Sequence, residues 1–180
     1  MILIISTCRY KLSEEEFVDP IREIVESEGF RVEVKHYMEK PEYGKYDKII
    51  ICGTALKDFN YLKNLQYFNK LKNLNKPVLG ICAGYQILAL LYGNRLEEIR
   101  KIGIYRVRVV KENPLTARSE FEAYFLHIYS LSKANEKIEV IALQDEEIAI
   151  FKIRGKPYYA ISFYPEVLNP EIIKNFIRRV

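Results

Sequence analysis

The chain has 180 residues, 28 Lys and Arg against 24 Asp and Glu, a net charge of +4 and three cysteines. That length suits one domain spanning 1–180 with a sizeable core, and the mild charge, interleaved with acids as in RLEEIRK (95–101), argues against a nucleic-acid track. Cys8, Cys52 and Cys82 are too few and too scattered for a disulfide framework or a cysteine-rich zinc site, and no apolar run approaches the roughly 20 residues of a membrane span, so a reducing cytoplasm with no metal, no other cofactor and no membrane is expected.

The first half alternates strand and helix signals. Residues 2–6 form a short apolar run, the pattern of a buried strand. Ser13 followed by Glu14, Glu15 and Glu16 has the form of a capping box, and Phe17, Ile21, Ile24 and Val25 supply a helical apolar face. Pro20 is expected to kink that helix or to sit in its first turn, and Gly29 to end it. Residues 31–36 alternate like a strand and 46–52 read as another buried one. Leu62, Leu65, Phe68 and Leu71 predict a helix over 61–74. A fourth strand over 77–81 leads into a third helix over 85–91.

Strand–helix–strand alternation implies parallel pairing with helices on both faces, and in such sheets the working residues gather at the carboxyl ends of the strands. Cys82 and Gly53 both fall at such ends. Beyond residue 100 the character changes. Segments 103–110, 121–128, 137–143, 148–153 and 158–163 read as closely spaced strands, a partly antiparallel extension, and a helix over 169–178 closes the chain.

Cys82 sits at the join of strand and helix between Gly80 and Gly84. The turn resembles the nucleophile elbow of hydrolases. Its glycines are expected to permit a sharp bend and close packing, the helix amino terminus to favour a thiolate, and the Ala83 amide to face an oxyanion formed at the sulfur. Gly53, in IICGTA (50–55), is placed to offer a second amide donor. On pattern alone a displayed nucleophile and a buried core cysteine both stay open. Cys8 and Cys52 lack such a setting and read as structural.

GICAGYQ (80–86) resembles the nucleophile motif of the class I glutamine amidotransferases, matching its fixed positions at Gly80, Cys82, Gly84 and Gln86. IICGTA is similar to the family's oxyanion strand, LHIYSL (126–131) to the segment bordering the glutamine pocket, ENPLTA (112–117) to a turn between these landmarks, and ISFYPEV (161–167) to its Phe-His-Pro-Glu segment. The landmarks follow family order across nearly the whole chain and look most like the stand-alone glutaminase subunits of the GMP synthetase type. The resemblance implies a flavodoxin-like, mostly parallel sheet flanked by helices. It also implies a Cys-His-Glu triad that hydrolyses glutamine through a Cys82 thioester, with ammonia passed to a separate synthetase or other acceptor subunit. Gln86 would contact the substrate.

Tyr164 stands where the family has the histidine, with Phe163, Pro165 and Glu166 in place. A phenol ionising near pH 10 is a poor base, and losing the base of a comparable triad costs about a millionfold in turnover, so hydrolysis is expected to be absent or very low. His127 is the candidate substitute, reaching Cys82 directly or through water; the plainer expectation is that it shapes the pocket wall. Glu166 is either the triad acid, bonded to Tyr164 or to nothing, or an acid placed at a helix start. The competing functions are a degenerate member that binds glutamine, a similar small amide or only a protein partner, and other cysteine chemistry on the same scaffold, against which the Phe-Xaa-Pro-Glu segment argues.

Overall fold

A computed structural model describes residues 1–180. Nine strands form one sheet in the order β2-β1-β3-β4-β9-β8-β7-β5-β6. Five of them, β2 (Val32–His36), β1 (Ile2–Ser6), β3 (Lys48–Ile51), β4 (Val78–Ile81) and β9 (Tyr158–Ile161), run parallel. The other four, β8 (Glu147–Ile153), β7 (Ile138–Gln144), β5 (Glu97–Val109) and β6 (Glu120–Ser130), continue the sheet antiparallel. The expected parallel core with a partly antiparallel extension is the architecture present.

Strand alternation feeds two apolar layers, one on each face of the sheet. Ile2, Ile4 and Ile50 face a layer shared with Phe17, Ile21 and Val25 from α1 (Glu14–Phe17) and α2 (Asp19–Ser27), and with Ile172, Ile173 and Phe176 from α5 (Pro170–Arg179). Leu3, Ile5, Ile49 and Ile51 face the opposite layer with Tyr61, Phe68, Leu71 and the helix α3 (Ala83–Leu91). A four-residue helix, α4 (Pro165–Leu168), joins β9 to α5. No helix is long and apolar enough to cross a membrane.

Several local expectations are corrected. Ser13 makes no capping bond through its side chain, and the helix it was to open is split into α1 and α2, with Pro20 in the first turn of α2. Gly29, at φ 82°, ends α2 as expected. Residues Asn60–Asn73 run as 3₁₀ turns kinked at Asn64, not as an α-helix. The apolar positions 62, 65, 68 and 71 explain this: their spacing is a strict three, which matches the roughly three residues per turn of a 3₁₀ helix. β5 begins before the expected strand, taking in much of the charged 95–101 stretch, and turns Lys101 inward toward Glu147 at 2.9 Å.

Gly80 and Gly84 lock α3 onto the sheet. A Cβ on Gly80 would stand 2.5 Å from the Gly84 carbonyl oxygen, and one on Gly84 would collide with the Ile51 carbonyl on β3. Backbone sits on backbone at both points, so neither neighbour can yield cheaply. Gly84→Ala is expected to lose about 1–3 kcal/mol in denaturant unfolding, whereas Gly44→Ala, at a position with nothing within 4 Å of the added methyl, stays near wild type.

Candidate active site

The bend at the end of β4 is made by Cys82 itself. It holds φ 48° and ψ −93°, one of three non-glycine residues at positive φ. Such a conformation costs energy and persists only where its surroundings over-determine it. Here the Cys82 amide donates to the Ile161 carbonyl of β9 at 2.8 Å, and its own carbonyl accepts from the Gln86 amide at 3.1 Å. The neighbouring glycines serve close packing, which corrects the expectation that they make the turn.

The sulfur is not displayed. Cys82 is 6% exposed and its thiol donates to the Leu126 carbonyl at 3.6 Å. Burial pushes the thiol up to about 12; the Tyr164 hydroxyl and the Ala83 amide pull it down, and Glu166 adds to the rise. The Ala83 amide therefore faces the sulfur as expected, but desolvation outweighs it, so the expected thiolate is replaced by a neutral thiol. What covers the sulfur is the outer edge of β6. Its carbonyls are taken in turn by the Asn169 side chain at Glu122 (2.9 Å), the Tyr164 amide at Tyr124 (2.9 Å), the Cys82 thiol at Leu126 and the Gln86 amide group at Tyr129 (2.9 Å).

Tyr164 lies at the centre. A Cβ on Gly53 would stand 2.5 Å from Cε1 of the Tyr164 ring and 2.7 Å from its hydroxyl oxygen. Gly53 thus permits a close approach, and the group that approaches is the Tyr164 ring. The hydroxyl donates to the Thr54 carbonyl at 2.9 Å, and the Phe17 ring packs 5.5 Å away, centroid to centroid. Burial, with the Cys82 thiol beside it, holds the phenol well above its ordinary range, so it stays protonated.

Glu166 makes no hydrogen bond to Tyr164 or Cys82, though its charge is felt by both. Its Oε2 is closed off from solvent and has no hydrogen-bond partner. Burial pushes the carboxyl up to about 8, with only its own backbone amide opposing. The expected bond from Glu166 to Tyr164 is therefore not made, the Tyr164 hydroxyl being given to Thr54.

His127 is buried beside the sulfur yet turned away from it. Nδ1 lies 3.1 Å from the Ser162 carbonyl, and Nε2 faces the Glu147 carboxylate at 3.2 Å without an aligned hydrogen bond, so both nitrogens are directed at oxygens and not at the thiol. Glu147 also accepts from Ser130 at 2.8 Å and lies 2.9 Å from Lys101. Burial raises this carboxyl, but His127 and Lys101 outweigh burial and hold it below the usual range. Gln86 is neither at the surface nor open to a substrate. Its Oε1 accepts from Tyr61 at 2.6 Å and its amide group is spent on Tyr129.

Cys82, Ala83, Gln86 and His127 share one hollow with Thr54 and Leu126, of about 10 Å³. That holds about one water. Sequence reading missed Thr54, which receives the Tyr164 hydroxyl, and the Glu147–Lys101 pair behind His127. Lys101 lies in a charge run and Glu147 in an acidic turn, where neighbours of the same type hide them.

Glu166 has a titration consequence. Its carboxyl ionises near 4.5 when unperturbed and near 8 in the fold. Between those values the unfolded chain releases a proton that the folded one keeps, so stability is lost as pH rises through this window. Glu166→Gln escapes the loss. In a series of thermal unfolding curves its advantage over wild type grows from about pH 4.5 upward and levels off above about pH 8.

The profile of the family "Glutamine amidotransferase class-I" matches residues 13–180. The chain is similar to the glutamine-hydrolyzing GMP synthase subunit of Methanocaldococcus jannaschii, 36% identical over 115 residues, covering 59% of this chain and 61% of that one. It thus spans less than two thirds of that relative. The same-named subunit of Ignicoccus hospitalis is 29% identical over 170 residues, 87% of this chain and 89% of that one. Among solved structures, a candidate GMP synthase subunit of Thermoplasma acidophilum superposes with a TM-score of 0.85 at 21% identity, covering 98% of this chain and 91% of that one, which shows a shared fold.

Proposed function

The chain belongs to the class I glutamine amidotransferases, and from that premise we propose that it is a single-domain amidotransferase-like subunit, impaired in glutamine hydrolysis, that works with a separate synthase-type partner. The subunit names of its relatives support the partner. The observation that carries the impairment is Tyr164, whose ring lies against Gly53 and whose hydroxyl is bonded to Thr54.

Three losses follow from that placement. Cys82 stands in the nucleophile position, but no neighbour accepts its proton: Tyr164 stays protonated and both nitrogens of His127 face other oxygens. Ala83 and Gly53 are the family-like amide donors for the oxyanion, and the Tyr164 ring lies over the second of them. Glu166, the family's orienting acid, has no histidine to orient. Protonating the departing ammonia needs a mobile acid, and none is at hand.

A second reading, a subunit that binds a partner without holding glutamine, is favoured by the hollow of about 10 Å³, too small for an amino acid unless β6 moves. Gln86 and His127 are walls of that hollow in either reading.

Ammonia release from glutamine and adduct formation with a diazoketone analogue of glutamine test the proposal together. Wild type is expected to match Cys82→Ala in ammonia release and to gain no adduct mass. Tyr164→His frees Gly53 and gives Glu166 a partner, so its release is expected to exceed that of wild type. Ammonia release by wild type far above Cys82→Ala, or no gain from Tyr164→His, would overturn the assignment of the block to Tyr164.

A further inference from the structure

One cleft that adjoins the Cys82 hollow, sharing Ala55, Asp58 and Phe59 with it, has the makings of a binding site. The chain leaves β1 for β2 on one side and then returns to β3 on the other. In an open parallel sheet this reversal of strand order leaves a crevice beyond the carboxyl ends of the two strands, where ligands characteristically bind. Cys82 follows β4, one strand further along. A cleft of about 460 Å³ lies at the reversal, lined from the β1 side by Arg9, Tyr10 and Ser13 and from the β3 side by Lys57, Phe59 and Lys63. Its volume is in the range of small-molecule sites.

The lining is unbalanced in charge. Arg9, Lys57 and Lys63 stand in no ion pair, and the only carboxylate of the lining is Asp58. That carboxylate is already spent on the Arg9 amide at 2.7 Å, the Thr54 hydroxyl at 2.8 Å and the Asn60 amide at 3.2 Å. Three cations against one carboxylate leave the concavity with a net positive charge, which favours an anion. Two rings complete the lining. Tyr10 is 62% exposed with the Arg9 guanidinium 5.2 Å from its centroid, and Phe59 is held edge-on by Tyr129 at 5.3 Å. An exposed ring beside a guanidinium is a platform for a planar group. The Ser13 hydroxyl, which the helix start does not use, adds an uncommitted donor.

We propose that this cleft binds a small organophosphate carrying a planar ring, a nucleoside monophosphate in its simplest form. Arg9, Lys57 and Lys63 hold the phosphate and Tyr10 stacks on the ring. The site abuts the Cys82 hollow, but its cations and exposed ring are in place whether or not Cys82 is active.

Calorimetric titration of the full chain tests it, with AMP, GMP, CMP, UMP, ribose 5-phosphate and inorganic phosphate as separate probes. At least one nucleoside monophosphate is expected to bind more tightly than ribose 5-phosphate or phosphate, and less tightly as salt rises. Arg9→Gln and the double variant Lys57→Ala/Lys63→Ala are each expected to weaken it about tenfold or more. Tyr10→Ala should erase the preference for the ring, and Cys82→Ala should change nothing, which separates this cleft from the amidotransferase site. All altered side chains in the cleft are at the surface, so matched melting curves of the free variants confirm folding. Absence of saturable heat with every monophosphate, undiminished affinity in the double variant, or phosphate binding as tightly as the nucleotides would overturn the proposal.

Discussion

The Tyr164 ring and the Gly53 backbone occupy one another's only available space. A side chain on Gly53 would stand within 2.8 Å of three atoms of the phenol, and the phenol can sit there only because Gly53 has none. The hydroxyl is then fixed on the Thr54 carbonyl, the amide on Tyr124 of β6, and the ring against Phe17. β3, β6, β9 and α1 therefore meet at one aromatic group. In a site of this type the same spot has to admit a tetrahedral oxyanion and a mobile imidazole. A phenol lodged there exchanges catalytic space for packing.

The rest of the site follows from that exchange. With β6 drawn against Tyr164, its next free carbonyl, Leu126, meets the Cys82 thiol. The sulfur loses solvent, and burial outweighs the helix amide that would have favoured its anion. Glu166 has no histidine beside it at position 164, and burial holds its carboxyl neutral to about pH 8. Yet the elbow survives intact, with Cys82 strained at positive φ and Gly80 and Gly84 packed backbone to backbone. On the proposed reading, the scaffold of a nucleophile is present without the groups that would activate it.

Much of this was legible in the chain. The parallel core showed in alternating apolar runs, and the elbow in the spacing of Gly80, Cys82, Gly84 and Gln86. The tyrosine on which the proposed impairment turns is a single letter at 164. Four features were not legible, each for a physical reason. The burial of the sulfur depends on β6, whose pairing partners are set by long-range register and not by local pattern. The use of Gln86 depends on Tyr61 and Tyr129, which are distant in sequence and close only in the fold. The 3₁₀ turns after residue 60 carry a period of three that a helical template accepts too readily. The charge pair behind His127 was hidden because Lys101 and Glu147 lie among residues of their own kind.

The ionisation of the Cys82 thiol addresses the central claim without relying on substrate, partner or turnover. Alkylation of the native chain across a pH series, with Cys82 followed by peptide mass, reads it directly. The thiol is expected to ionise near 12, so its labelling at neutral pH should be far slower than in the unfolded chain and should show no break before the fold itself gives way. A break near neutral pH, with native Cys82 labelled as fast as or faster than in the unfolded chain, would mean that the sulfur is open and activated and that Tyr164 does not close the site.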